Sequence, residues 1–195
     1  MYSSQNKTNN IVFALYNTDR TVFRFNQIAL LSGEQNFQSL SNKINYAVRT
    51  GKLLNPRKGI YTKPEYSKEE MACLVYVPSY ISLEYVLQKA GVIFQYDSSY
   101  TVISYISRMV EIDNQSYRFR KIKATALSCT DGILRHSKHI NMASAERAFL
   151  DLLYLEKDYY FDNLNPLNKS TINKLLPVYQ SEALKQRVKM LFNNG

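Results

Sequence analysis

The side chains able to do chemistry in this sequence are few and scattered. His136 and His139 stand three residues apart, with Cys129 seven residues before the first of them. A zinc site could be drawn through these three. A structural zinc site takes four ligands, however, usually with a close pair of cysteines, and no such pair accompanies them. Cys129 and a histidine would form a nucleophile and its base only if the fold brought them together. Glu146 and Asp151 lie five apart on a helical segment, so they do not share a face and are not paired for acid–base work. No Gly-rich phosphate loop, Gly-x-Ser-x-Gly turn or His-Glu-x-x-His pair occurs. The expectation is a protein that is not an enzyme, with no cofactor and no metal.

What the sequence does hold is a palette for nucleic acid. Gln38, Ser39, Asn42, Lys43, Asn45, Tyr46 and Arg49 fall within one short segment, and Arg57 and Lys58 follow shortly after. Asn and Gln amides match the adenine edge in the major groove, Ser is permissive, and Lys and Arg meet guanine or phosphate. Charge agrees with this. The chain has 195 residues and a net charge of +9, with an isoelectric point near 9.4. Residues 1–66 hold Lys7, Arg20, Arg24, Lys43, Arg49, Lys52, Arg57, Lys58 and Lys63 against only Asp19, Glu34 and Glu65. Most of the excess charge therefore sits in the first third, where a polyanionic partner would be met.

Positioning these residues requires particular elements. The apolar spacing of Ile11, Val12, Leu15 and Tyr16 predicts a helix over 7–17, and TVFRF (21–25) predicts a short strand. Asn26 is read as the cap of a short helix 27–31 that buries Ile28, Leu30 and Leu31. Asn36 caps a longer helix, 37–50, with Phe37, Leu40, Ile44, Ala47 and Val48 inward. Gly51 stands where a left-handed residue ends a helix, and Leu53 is placed for the accompanying contact. A hairpin follows, 52–54 and 60–62 around Asn55-Pro56-Arg57-Lys58-Gly59, with a basic tip. Helix, turn, longer helix and hairpin in this order make a winged helix. Gln38, Ser39 and Asn42 lie nearest its leading end and are the foremost base-edge candidates.

The polar stretch KPEYSKEE (63–70) reads as a linker, giving domains 1–66 and 67–195. Beyond it, Ser82 is read as capping a helix with Leu83, Val86, Leu87 and Ala90 on one face, ended by Gly91. TVISYIS (101–107) reads as a strand, and 109–112 with 116–122 as a hairpin turning at Asp113-Asn114. Ser144 and Glu146 open a strongly apolar core helix over 145–155. Pro166 and Pro177 bracket a short helix, and a final amphipathic helix runs over 181–192. The basic strand Arg118, Arg120, Lys121 and Lys123 reads best as half-exposed, with Tyr117 and Phe119 inward. The fold class expected is α+β, a winged helix-turn-helix followed by a mixed α/β C-terminal domain. No apolar run is long enough for a membrane span, no leader segment is visible, and two cysteines suit a reducing, cytoplasmic setting.

Three segments in order carry a resemblance. Lys58-Gly59-Ile60-Tyr61 follows the hairpin, Pro78-Ser79-Tyr80-Ile81-Ser82-Leu83-Glu84 opens the next unit, and Ala143–Asp151 forms the core helix. With these the chain resembles, over roughly residues 7–155, the AbiEi family of antitoxins and transcriptional regulators from bacterial toxin–antitoxin (abortive infection) systems. Ser144 stands where Thr is common in that family and Phe149 where Leu is. The resemblance implies a winged helix that binds double-stranded operator DNA and represses its own operon. It also implies a C-terminal domain that counteracts a cognate nucleotidyltransferase-like toxin; it assigns no toxin-binding residues. From the residues alone two other readings stay open. One is an interaction module whose winged helix does not touch DNA and which docks an acidic partner. The other is a nuclease or transferase using C-terminal carboxylates.

Overall fold

A computed structural model describes residues 11–137 and 139–193, so residues 7–10 of the expected first helix lie outside the described residues. The fold is mixed α+β with two sheets, and the chain divides into two compact units, Met1–Val75 and Tyr76–Gly195.

In the first unit, residues 11–16 are helical (α1). Strand β1 (Val22–Arg24) leads directly into α2 (Phe25–Ser32). The start of α2 departs from expectation. Its cap is Arg24, not Asn26, because the Arg24 amide donates to Gln27 Oε1 at 2.8 Å. Ile28 is buried as its spacing requires, but Leu30 is 83% exposed and Leu31 is also exposed. A two-turn helix has room for only one narrow buried stripe, and Ile28 takes it. Helix α3 (Phe37–Arg49) begins at Asn36, whose side chain accepts from the Ser39 amide at 2.8 Å. It ends as the sequence dictates: Gly51 has φ 71°, the Lys52 amide donates to Ala47 O at 2.9 Å, and Leu53 is fully buried.

The hairpin is β2 (Leu54–Arg57) and β3 (Ile60–Thr62). Leu54 pairs with Thr62 and Arg57 with Ile60, so the tip is only Lys58-Gly59 and Arg57 belongs to the strand. Gly59 at φ 78° supplies the left-handed residue that so tight a turn needs. The three strands order β1-β3-β2. Ile11, Leu15, Phe23, Ile28, Leu40, Ile44, Ala47 and Leu53 form the core, with Val48 partly buried against it. Phe37, expected in that core, is instead 69% exposed, its ring 4.7 Å from that of Phe25.

The segment read as a linker is partly helix. Helix α4 (Lys68–Val75) belongs to the first unit, so the division falls after Val75 instead of after residue 66. Glu70 fixes it. This buried carboxylate accepts from the Thr21 amide at 2.8 Å and the Thr21 hydroxyl at 2.6 Å, and lies 3.7 Å from Arg20. Arg24 adds a bond from its guanidinium to Leu74 O at 2.7 Å.

The second unit is built on a six-stranded mixed sheet: β4 (Ser79–Ile81), β5 (Tyr100–Ser104), β6 (Arg108–Ile112), β7 (Gln115–Lys121), β8 (Ile133–Ser137) and β9 (Ile140–Ala143). Their order is β6-β7-β5-β4-β9-β8. The β5–β7 and β4–β9 pairs are parallel, the rest antiparallel. Asp113 and Asn114, at φ 49° and 58°, make the expected two-residue turn between β6 and β7. Helix α7 (Ala145–Leu155), capped by Ser144, is the apolar centre and packs against three other helices: α5 (Glu84–Lys89), α8 (Lys169–Leu175) and α9 (Glu182–Asn193). A short helix α6 (Ala124–Ser128) precedes β8, and a 3-10 turn, Leu176–Tyr179, follows α8.

Ser82 does not cap α5. Its hydroxyl instead donates to Asp151 Oδ2 at 2.8 Å, deep in the unit. The helix start is served from the neighbouring strand by Thr101, whose hydroxyl accepts from the Tyr85 amide at 3.0 Å and donates to Ser82 O at 2.6 Å.

Candidate nucleic-acid interface

Helix α3 sorts its side chains by angle. Residues advance by about 100° each along an α-helix, so Leu40, Ile44 and Ala47 share the inward face, and all three are buried. Gln38, Asn42, Asn45 and Arg49 fall on the opposite face, one above another at i, i+4, i+7 and i+11, and all four are exposed. Tyr46 is exposed beside them, with the Arg49 guanidinium 5.4 Å from its ring centre. Gln38 and Asn42 are joined: Gln38 Nε2 donates to Asn42 Oδ1 at 3.1 Å.

Ser39 and Lys43 belong to another facet. Both turn toward Glu34, in the turn ahead of the helix. The Ser39 hydroxyl donates to Glu34 Oε2 at 3.2 Å, and the Lys43 ammonium is ion-paired to the same oxygen. The Lys43 hydrogen bond, with the Asn36 amide behind it, holds the Glu34 carboxyl below its ordinary value. Lys43 is thereby neutralised and half-buried. Sequence reading missed Glu34; its one signal was an acid in a segment otherwise poor in acids.

The hairpin adds a second element. Lys58 is exposed at the tip and Arg57 half-buried on the strand. Asn55 stiffens the turn, its amide donating to Ile60 O at 2.8 Å and Arg57 O at 3.1 Å. Of the remaining basic residues of this unit, Arg20 and Arg24 are engaged with Glu70 and with α4 carbonyls. Lys63 donates to Thr18 O at 2.8 Å. The structure thus brings Gln38, Asn42, Asn45, Tyr46 and Arg49 onto one open surface and sets Ser39 and Lys43 apart from it.

In the second unit the two arginines of the basic strand are ion-paired. Tyr117 and Phe119 are buried, while Arg118 pairs with Asp97 and, at 3.6 Å, with Glu84. Arg120 pairs with Glu156 at 2.6 Å, and Lys123 reaches Gln180 at 3.3 Å. Burial raises the Asp97 carboxyl, but the Ser99 amide and hydroxyl together with Arg118 outweigh it, so its net shift is downward.

The carboxylate pair considered from sequence separates completely. Glu146 accepts from the Asn168 amide at 3.2 Å, whereas Asp151 is fully buried. Arg147, also fully buried, donates from Nε to Asp151 Oδ1 at 3.2 Å. It also donates to Asp131 O at 2.8 Å, Ala126 O at 2.7 Å and the Tyr80 hydroxyl at 2.9 Å. The hydroxyls of Tyr179, Ser82 and Tyr80 donate to Asp151 at 2.7, 2.8 and 3.2 Å. Burial pushes the Asp151 carboxyl up against the pull of Arg147 and these hydroxyls, and it pushes both phenols up as well. With every polar side-chain atom of the pair bonded to protein, this network ties α7 to β4, α6 and the 3-10 turn. Among the described residues, no group of three His, Cys, Asp or Glu is placed to hold a metal, and no helix is long and apolar enough to cross a membrane.

No protein-family model matches the chain, and no curated protein matches it.

Proposed function

We propose that this protein is a DNA-binding transcriptional regulator. In this reading its first unit is a winged helix, with α3 as the recognition helix and the β2–β3 hairpin as the wing. The observation that carries it is the exposed line Gln38, Asn42, Asn45 and Arg49, opposite the buried face of α3. Amides and a guanidinium in register along one helix face match what major-groove edges offer, and Lys58 on a stiff hairpin tip suits a phosphate. The second unit, which on the family resemblance counteracts a nucleotidyltransferase-like toxin, takes no part in the chemistry. The protein acts by binding, without catalysis.

The test is titration of a labelled duplex from the protein's own upstream region, repeated at several salt concentrations. With about four basic residues of the first unit on phosphates, log K should fall against log[salt] with a slope of about −3.6 per bound chain. A flat response and no shifted duplex at low salt would refute the DNA-binding reading. For the second unit, co-expression should restore growth to cells producing the nucleotidyltransferase-like toxin that the resemblance implies, and Asn42→Ala should keep that rescue while losing repression. A second reading, a protein-docking module, is favoured by the exposed Leu30 of α2 and Phe37 at the start of α3. Co-purification with a neighbouring gene product, without any duplex binding, would select it.

A further inference from the structure

The excess charge of the second unit is confined to its last two helices. Residues 76–162 hold equal numbers of acidic and basic side chains, whereas 163–193 hold Lys169, Lys174, Lys185, Arg187 and Lys189 against Glu182 alone. We infer that the cleft between α8 and α9 docks an acidic segment of a protein partner, which sets carboxylates on Lys169 and Lys189 and one apolar side chain between them. This inference concerns the second unit and stands whether or not the first unit binds DNA.

Both helices lie on α7. Ile172 and Leu175 turn inward from α8, and Leu184 and Val188 from α9. Spacing of four residues then carries Lys169 and Asn173 along α8 and Lys185 and Lys189 along α9, all four exposed. The cleft has a volume of about 210 Å³ and is lined by Lys169, Ile172, Asn173, Val188, Lys189 and Phe192. Phe192 anchors its floor: the ring centre is 6.0 Å from that of Phe149 on α7 and 4.9 Å from the Lys169 ammonium.

The cleft lysines differ from the other cations of the unit. Arg118, Arg120 and Arg147 are ion-paired, and Lys185 is paired with Glu182 at 3.2 Å. Arg187 donates to Leu153 O. Among the described residues Lys169 and Lys189 have no acidic partner. An uncompensated basic rim around an apolar floor is the complement of acidic groups around an apolar anchor. The volume, about 210 Å³, is below the roughly 300–1,000 Å³ of small-molecule sites, so the cleft takes one side chain and not a cofactor. A nucleic-acid backbone would meet the lysines but leave the apolar floor empty. A lipid surface needs a row of large apolar side chains facing outward, and α9 exposes only Met190 of its large ones.

The experiment selects peptides from a displayed random library with the full-length protein and measures the affinity of the best peptide by fluorescence anisotropy. That peptide should be net acidic and carry an apolar residue whose replacement by alanine costs about ten-fold in affinity. Lys169→Glu and Lys189→Glu each turn an exposed attraction into a repulsion. Each should weaken the peptide about five-fold, and the two together at least about ten-fold. Arg108→Glu, the same change of charge at an exposed position of β6, should alter affinity by less than about two-fold. Enrichment of neutral or basic peptides, no enrichment, or acidic peptides indifferent to both lysine reversals would overturn the inference. The double variant is also titrated with the labelled duplex and with vesicles of phosphatidylserine and phosphatidylcholine. A loss of duplex or vesicle binding as large as the loss of peptide binding would reassign this face to nucleic acid or lipid and overturn the inference too. Wild-type protein that binds the peptide as expected but shifts no duplex would refute the DNA-binding reading and leave this inference in place.

Discussion

Glu34 holds Lys43: the carboxylate in the turn ahead of α3 is ion-paired to the ammonium nine residues later, and it takes the Ser39 hydroxyl at 3.2 Å as well. The ammonium near the middle of α3 is thus held by a partner in its own unit. In Glu34→Gln the ammonium is released, so duplex affinity should rise and the salt slope should steepen by about 0.9. Parallel titrations of the two proteins measure both. An unchanged slope would mean that Lys43 does not lie against a phosphate even when freed.

Arg147 should be the most sensitive single position in the second unit. Arg147→Met leaves Asp151 buried without its cation and orphans two backbone carbonyls. Breaking a fully buried pair from one side costs about 3–5 kcal/mol. Urea unfolding should show the unfolding free energy falling by that amount, as a lower midpoint with the slope preserved. A loss below about 1 kcal/mol would place the strength of this network in its hydroxyls instead of the ion pair.

Asp97 gives the second unit an acid-sensitive contact. Its folded-state value lies below the ordinary 3.8, so the unfolded chain takes up its proton first as pH falls. The stabilisation is complete above the ordinary value and is lost as pH drops below 3.8, through the folded value. Wild type should therefore be more stable than Asp97→Asn near neutrality, and the two should converge in strong acid. A gap that is constant over the whole range would contradict the assignment.

Glu70 binds α4 to the start of β1. Glu70→Ala leaves the Thr21 amide and hydroxyl without their acceptor, at a cost of about 1–3 kcal/mol. Hydrogen exchange at the Thr21 amide should accelerate accordingly. Exchange at the wild-type rate would show that another acceptor or water replaces the carboxylate.

Much of this architecture can be read from local rules, and the exceptions share a cause. Asn36, Gly51, Ser144 and the Asp113-Asn114 turn satisfy their own neighbours within a few residues, so spacing alone locates them. Ser82 fits the same local rule but donates to Asp151, 69 residues away. Glu70, which looks like part of a polar linker, is buried by Thr21 49 residues upstream. Phe37 and Leu30 have the hydrophobicity for a core whose volume Ile28, Leu40 and Ile44 already fill. On the candidate interface, the helix period identified Gln38, Asn42, Asn45 and Arg49. Removing Ser39 and Lys43 required knowing that Glu34 folds back over them, which no period encodes.

The position of β4 has a consequence for how the protein is made. Its two neighbours are β5 and β9, and Ile81 meets Met142 only after the intervening chain has been synthesised. The pairings of the first unit, such as Val22 with Thr62, close far earlier. On a translating ribosome the first unit can finish folding while the larger sheet still lacks β9 and its edge strand β8. Nascent chains halted before residue 140 would therefore carry a complete first unit and a second whose strands β4 to β7 can pair while the other edge of β4 waits for β9.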